Sequence, residues 1–397
     1  NDVKFLEETG HAPLLYPSNS VKWFECNLTF RKLKIIQSEK IIMNDNVYYK
    51  LAEHLDNLPS GFPSTENGVE IRILKRLFSP EEATIALGLK MKQEPAAAIA
   101  QRLNMEETEI APVLKKMSKK GLIFRKRKKD QFFYMAAQFV IGIWEYHVKC
   151  LDKELIKDFN EYAPHLIKKG WANQKTQQLR VIPVNHSVTV DTNVMPYEQA
   201  ETIIRSQSKI VVAPCICRKE HNMMDQGCGR PEEVCLVFST GAFYYEENGL
   251  GRPIDQEEAL RLVREGVAAG LVLQPSNAKK AANICMCCGC CCQILKNIKS
   301  LPEPAKAVRT NYYAQVDKDN CTACSTCVQR CPMDALVVDH SAHVNLSRCI
   351  GCGLCVTTCD YDAIELVKKP EDEKYDPPGN LLKTYMKIAM ERGKFKR

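Results

Sequence analysis

Apolar positions recur at helical spacing in successive segments between residues 66 and 120, and two short runs rich in β-formers follow them. Val69, Ile71, Leu74, Leu77 and Phe78 mark one helix, and Ser79 with Glu82 offers a capping box for the next. Pro95 opens another that carries Ala98, Ile99 and Leu103. Asn104 is placed to cap a helix containing Ile110, Val113, Leu114 and Met117, which Gly121 ends. Leu122 to Arg125 and Phe132 to Met135 predict a hairpin around Lys128, Lys129 and Asp130. Residues 141–180 read as helical, with Trp144, Tyr146, Leu151, Leu155 and Phe159 as core. A mixed α/β segment follows: a helix after Pro196, strands at Lys209 to Ala213 and Cys235 to Phe238, and a helix at Glu257 to Ala269 capped by Asp255 and closed by Gly270.

The helices and hairpin of residues 66–140 resemble the winged-helix architecture of bacterial regulators. Lys115, Lys116, Lys119, Lys120 and the run Arg125 to Lys129 place nine basic residues on the last helix and the wing, where such modules meet phosphates. DNA is therefore a possible partner. A scaffold or docking module with a solvated basic surface fits the same residues.

The first 42 residues carry no motif, and Met43 directly precedes a polar start and the helix-like run Val47 to Leu58. An upstream extension over 1–42 is the expectation. At 397 residues the chain has room for two or three domains, and its 45% hydrophobic and 26% charged composition is that of a globular protein. Lys plus Arg, 55, against Asp plus Glu, 48, leaves +7, which permits an anionic partner without requiring one. The longest apolar run, Met135 to Trp144, is interrupted by Gln138 and falls far short of the ~20 residues that span a bilayer. A cytoplasmic protein is expected, with no membrane span.

Cysteine changes the picture. Of 20 cysteines, 18 lie between Cys215 and Cys359, in tight runs that suit metal ligation in a reducing compartment better than disulfides. Cys321-Thr-Ala-Cys324-Ser-Thr-Cys327-Val-Gln-Arg-Cys331-Pro332 recurs 28 residues later as Cys349-Ile-Gly-Cys352-Gly-Leu-Cys355-Val-Thr-Thr-Cys359-Asp360. The segment resembles the bacterial two-cluster [4Fe–4S] ferredoxins. The resemblance implies that three closely spaced thiolates wrap each cube while the fourth cysteine of each run serves the other cube. One cube would then be held by Cys321, Cys324, Cys327 and Cys359, and the other by Cys349, Cys352, Cys355 and Cys331. Asp360 departs from the pattern set by Pro332 and should lower the nearby potential somewhat. A pair of four-thiolate zinc sites is the competing reading.

The middle of the chain holds ten more thiols: Cys215, Cys217, Cys228, Cys235, Cys285, Cys287, Cys288, Cys290, Cys291 and Cys292. Cys215, Cys217, Cys228 and Cys235 make a sensible four-thiolate set, with Cys287, Cys288, Cys290 and a neighbour as donors to another site. The pairing is not deducible from sequence. One or two further iron–sulfur clusters, one cluster beside a redox-active dithiol, a zinc or copper thiolate cage, and one zinc site with spare cysteines all fit. Cys287-Cys288-Gly289 is similar to the Cys-Cys-Gly segments of noncubane-cluster disulfide reductases. His221 is expected to be a surface or hydrogen-bonding residue rather than a ligand, Arg218 and Arg230 either partners of thiolates or surface ion-pair residues, and Cys26 and Cys150 buried, inert thiols.

The layout is similar to ferredoxin-like proteins of anaerobic bacteria. It predicts an α+β multidomain chain: an extension (1–42), a winged-helix-like module (43–145), a Cys-rich α/β middle (146–300), a dicluster ferredoxin domain (301–370) and a helical tail (371–397). The leading function is a multicluster iron–sulfur relay passing single electrons between a low-potential donor and an oxidoreductase partner, a carrier or subunit more than a stand-alone enzyme. Four cubes would bring about sixteen irons. The competitors are a redox-sensing DNA-binding regulator and a disulfide or small-molecule reductase using the middle cysteines. No catalytic residue is assigned from the sequence.

Overall fold

The amphipathic runs of the front segment fold as helices whose apolar faces meet one another. A computed structural model describes residues 46–184 and 194–394; the 1–42 extension and Cys26 lie outside the described residues. Helix Val69–Leu77 buries Val69, Ile71, Ile73, Leu74 and Leu77. Ser79 and Glu82 exchange the two hydrogen bonds of a capping box at the start of Pro80–Leu87. Pro95 is the N-cap of Ala96–Leu103. Asn104 takes a different part from the one expected: it ends that helix in a left-handed conformation (φ 54°), and Glu106 begins the next. A short polar side chain tolerates this backbone region, so the residue suits a helix end as well as a start. Helix Glu107–Lys120 then stops at Gly121 (φ 85°).

Strands β2 (Ile123–Lys128) and β3 (Gln131–Ala136) pair antiparallel, and β1 (Glu94–Pro95) joins the far edge of β3. Two of the nine basic residues on this surface are engaged by carboxylates of the protein itself, and one of them, Arg125, is buried. Lys120 binds the Glu82 carboxylate at 2.6 Å. Arg125 is 4% exposed, donates to Ser118 Oγ at 2.8 Å and pairs with Glu247 at 2.9 Å, tying β2 to the middle of the chain.

The expected helical stretch 141–180 is broken near its start. Ile141 has φ 55° and Gly142 is extended, so only Trp144–Tyr146 and, further on, Lys153–His165 are α-helical before the π and 3-10 turns of 166–173. The cause is local: the Glu145 carboxylate accepts the Gly142 N–H at 2.8 Å and holds the chain in a bend. Trp144 stacks on Phe159 at 3.6 Å, as the core reading requires, whereas Leu151 is only half-buried. Cys150 is exposed, contrary to the buried thiol expected.

The middle of the chain forms a five-stranded sheet in the order β6-β4-β5-β8-β7, with every neighbouring pair antiparallel. Its strands are β4 (Ile210–Pro214), β5 (Glu233–Phe238), β6 (Arg252–Ile254), β7 (Val272–Pro275) and β8 (Asn283–Cys287). β4, and β5 from Val234 on, read as continuous apolar runs, and helices Ser239–Glu247 and Gln256–Ala268 pack on both strands. Beyond it, β9 (Tyr312–Val316) pairs with β12 (Ile364–Lys368), and β10 (Leu336–Val338) with β11 (Ala342–Val344). The 28-residue repeat maps β9 onto β11 and β10 onto β12, so the two ribbons are the structural image of the duplicated sequence.

Helix Leu381–Glu391, capped by Asn380, returns toward the front segment. Thr384 donates to the Asn277 carbonyl at 2.6 Å, and Arg392 pairs with Asp56 at 3.0 Å. Helices and strands are mixed throughout, and residues from Tyr48 onward cluster into one compact unit. Among the described residues no helix is long and apolar enough to cross a membrane.

Candidate metal–thiolate centres

The ten middle cysteines divide six and four. β4 delivers Cys215 at its end, which is the N-cap of helix Ile216–Met223, and Cys217 lies in that helix's first turn. β5 carries Cys235, and β8 carries Cys285 and Cys287 two residues apart, hence on one face. The register Leu236 to Ile284 sets Cys235 directly across from Cys285. Cys292 is the N-cap of helix Gln293–Lys299. Each of these six thiols stands within electrostatic reach of the next in the order Cys235, Cys285, Cys287, Cys292, Cys217 and Cys215. These six border one chamber, whose other walls are mainly apolar and include Ile141, Trp144 and Phe159 from the front segment. About 70 Å³ of it is open to the centres of water-sized spheres. By the same measure about 10–15 Å³ holds one water.

The remaining four thiols, Cys228, Cys288, Cys290 and Cys291, have sulfurs that all lie within 4.8 Å of one another. This differs from the expected grouping in two places. Cys228 leaves the set of Cys215, Cys217 and Cys235, and Cys287 separates from Cys288. The reason is backbone geometry: Cys287 ends β8 facing the chamber, while Cys288 starts the following turn and points elsewhere. Four thiolates on one tetrahedral ion at about 2.3 Å stand about 3.8 Å apart, so this nest has the size of a single-ion shell. On a cube each thiolate sits on its own metal, which spreads the sulfurs farther.

Two arginines serve the thiols. Arg218 is 1% exposed and lies between the groups, 3.8 Å from Cys288 Sγ and bonded to the Met286 carbonyl at 3.1 Å. Burial works against its charge, but the facing Cys215, Cys287 and Cys288 more than offset this and raise its pKa. Arg230 donates to Cys290 Sγ at 3.2 Å. Within the nest, hydrogen bonds from the Cys291 thiol and amide and from Cys290, together with Arg218, lower Cys288 to about 3 and make it the thiolate. In the chamber, hydrogen bonding among the thiols and burial hold Cys215, Cys217, Cys285, Cys287 and Cys292 well above the ordinary thiol range. Such groups lose their protons together only to a cation of comparable charge, which is what metal binding supplies. Of the two places expected for His221, the structure takes the hydrogen-bonding one: the residue is buried, with Nδ1 at 2.8 Å from the Cys217 carbonyl and Nε2 at 3.2 Å from Lys296 Nζ.

Sequence reasoning missed Glu145, whose carboxyl borders the chamber. Burial raises its pKa to about 7, against the opposing pull of the Gly142 and Ile141 amides. An acid whose folded value exceeds its unfolded one favours folding while protonated. Its contribution is therefore greatest below about 4.5, falls as pH rises toward about 7, and is constant above that. Difference infrared spectra of the protein against E145Q should show a protonated carboxyl band at about pH 6 that fades by about pH 8. A band absent at both values would contradict the assignment.

In the C-terminal loops, Cys321, Cys324, Cys327 and Cys359 line one pocket. Cys331, Cys349, Cys352 and Cys355 lie within electrostatic reach of one another. Burial, reinforced by the neighbouring sulfurs, pushes Cys352 up to about 12 and Cys355 also upward. Amides already point at these sulfurs: Ala342 N to Cys321 at 3.3 Å, Ala335 N to Cys331 at 3.3 Å and Ala314 N to Cys349 at 3.4 Å. Both loops need left-handed backbone at matching positions, Ala323 and Ser325 in the first and Gly351 and Gly353 in the second. At Gly351 a side chain has no room, since a Cβ would stand 2.1 Å from the Tyr312 carbonyl. The donor set and its amides fit inorganic iron and sulfide. Residues 313–360 match the family described as 4Fe-4S dicluster domain. This segment is a ferredoxin-like iron–sulfur domain. No curated protein and no solved structure matches the chain.

The ferredoxin-like domain meets the four-thiol nest directly. Gly289, between Cys288 and Cys290, packs so closely on Pro332 that a Cβ would stand 2.1 Å from its carbonyl oxygen. Cys331, beside Pro332, packs against the core of the middle sheet as well as that of its own domain. Arg330 and Arg348 fasten the same boundary, Arg330 donating to the Ala268 carbonyl at 3.0 Å and Arg348 to the Lys299 carbonyl at 2.9 Å.

Proposed function

We propose that the protein is an iron–sulfur electron relay in which the ferredoxin-like domain delivers single electrons to the thiolate-rich middle of the chain. The observation that carries this reading is the backbone contact of Gly289 with Pro332, which sets Cys331 beside the nest of Cys228, Cys288, Cys290 and Cys291. In this reading one cube is held by Cys321, Cys324, Cys327 and Cys359, and the second by Cys331, Cys349, Cys352 and Cys355. When bound, such clusters supply one-electron capacity with little change of ligand geometry. The chain's own residues set the environment. Loop amides stabilise the anionic sulfurs, Arg218 and Arg230 offset charge at the nest, and apolar side chains form most of the chamber's other walls.

The nest is the intermediate step, with one iron in a four-thiolate shell. The C228S protein should lose one metal ion per chain by elemental analysis and keep its cube spectra. Loss of four irons instead would show that the nest holds a cube. The donor is a low-potential one-electron reductant and the acceptor an oxidoreductase partner, in a cytoplasmic setting.

A second reading has its own observation. Strand β3 of the winged-helix-like module leads directly into the segment Phe139–Ile143, of which Ile141 borders the chamber. A change of state at those thiols would therefore be felt by the basic module, as a redox-sensing DNA regulator requires. The burial of Arg125 against Ser118 and Glu247, which removes it from the basic surface, favours the relay.

The test is rapid mixing of the oxygen-free full chain with titanium(III) citrate, followed by freeze-quench electron paramagnetic resonance. The relay predicts that cube signals rise first and decay as the middle centres are reduced. Cubes that stay reduced while the middle centres never change would overturn it.

A further inference from the structure

The chamber contains more thiols than a cube has corners. A cube presents four metals, each taking one protein thiolate. Here Cys215, Cys217, Cys235, Cys285, Cys287 and Cys292 border one cavity. All six line that single cavity, and no four of them form a compact shell of their own, the tight four-sulfur grouping among the described residues being Cys228, Cys288, Cys290 and Cys291. They arrive from separate elements: the end of β4, the helix after it, β5, β8 and the start of helix Gln293–Lys299. Convergence of that kind needs the sheet register and two helix starts to cooperate, and all six cysteines are free thiols. Arg218 stands 3.8 Å from Cys288 Sγ of the nest and within electrostatic reach of Cys215 and Cys287, so one guanidinium is shared between this group and the nest. Six thiolates therefore need most of their countercharge from metals inside the chamber.

We infer that the chamber holds a single iron–sulfide cluster of more than four metals, bound through all six of these cysteines. The inference rests on the iron–sulfur reading above and deepens it. Such a cluster stores more than one electron beside Glu145 in a chamber walled largely by apolar side chains, and it makes the middle of the chain the terminus of the relay. Its arrangement differs from the four cubes expected from the cysteine count.

The experiment loads the oxygen-free full chain with ferrous iron and sulfide, then combines metal and sulfide analysis with Mössbauer spectra of the wild type and of the single variants C215S, C235S, C287S and C292S. The expected result is a spectral component of more than four irons, distinct from the C-terminal cubes and lost or altered in every variant. The inference is overturned if that component amounts to four irons and survives unchanged in any variant, which would mean a cube with spare thiols. It is also overturned if the chamber thiols bind no iron. The C-terminal cube signals report folding in each variant, and the wild-type iron count does not depend on any of them. If the cube signals are missing from the wild type as well, the iron–sulfur reading itself fails.

Discussion

C331S is expected to lose one cube and, with it, electron delivery to the middle of the chain. In the crossed ligand pattern Cys331 belongs to the second cube. It is also the thiol whose neighbour, Pro332, touches Gly289. Serine offers a harder, less readily ionised oxygen in a site where the Ala335 amide is aimed at sulfur at 3.3 Å. The cube proposed for Cys321, Cys324, Cys327 and Cys359, which line a pocket of their own, has no ligand in common with it and should remain. Reduced spectra should show one cube signal without the magnetic interaction expected of a pair. Reduction of the middle centres should slow on the order of 100-fold, the upper end of what disturbing a metal site usually costs. An unchanged rate would show that the middle thiolates receive electrons by another route.

The second large effect is expected from a methyl group. In G289A the new Cβ would meet the Pro332 carbonyl oxygen at 2.1 Å, and that atom is backbone, so no rotamer change can relieve the contact. The turn between Cys288 and Cys290 must then move off the ferredoxin-like domain, at a strain cost on the order of 1–3 kcal/mol. All thiols remain, so iron content should be unchanged and every centre should still be reducible at equilibrium. The loss should be kinetic: the cubes reduce at the normal rate and pass their electrons on roughly tenfold or more slowly. Stopped-flow absorbance at matched iron content measures both phases. Wild-type transfer in G289A would remove this contact from the electron path.

The sequence and the structure agree where the signal is local. Ser79 and Glu82, Asp255 and the Gly121 stop act through hydrogen bonds or backbone freedom within a few residues, and each is found where its pattern placed it. Asn104 shows the limit of such reasoning, since the same short polar side chain caps either end of a helix. The ferredoxin-like segment was legible because its thiols repeat with their spacing intact. The middle cysteines were not, because their grouping depends on strand register. Nothing along the chain says that Cys235 lies opposite Cys285, or that Cys228 reaches across to the turn after β8. One signal was present: Cys285 and Cys287, two apart on a strand, share a face, while the turn that begins at Cys288 does not continue it. Glu145 was hidden for the same reason: its burial comes from packing between distant segments, and a lone charged residue in a sequence carries no mark of it. Arg218 was named beside the thiols, but its burial was not legible.

The relay requires that the duplicated thiol loops between Cys321 and Cys359 hold iron and sulfide as two neighbouring cubes. Electron paramagnetic resonance of dithionite-reduced, oxygen-free protein, together with acid-labile sulfide analysis, measures this most directly. Two interacting reduced cubes with matching sulfide are the predicted result. Colourless protein carrying only zinc at these loops, with no labile sulfide, would contradict it.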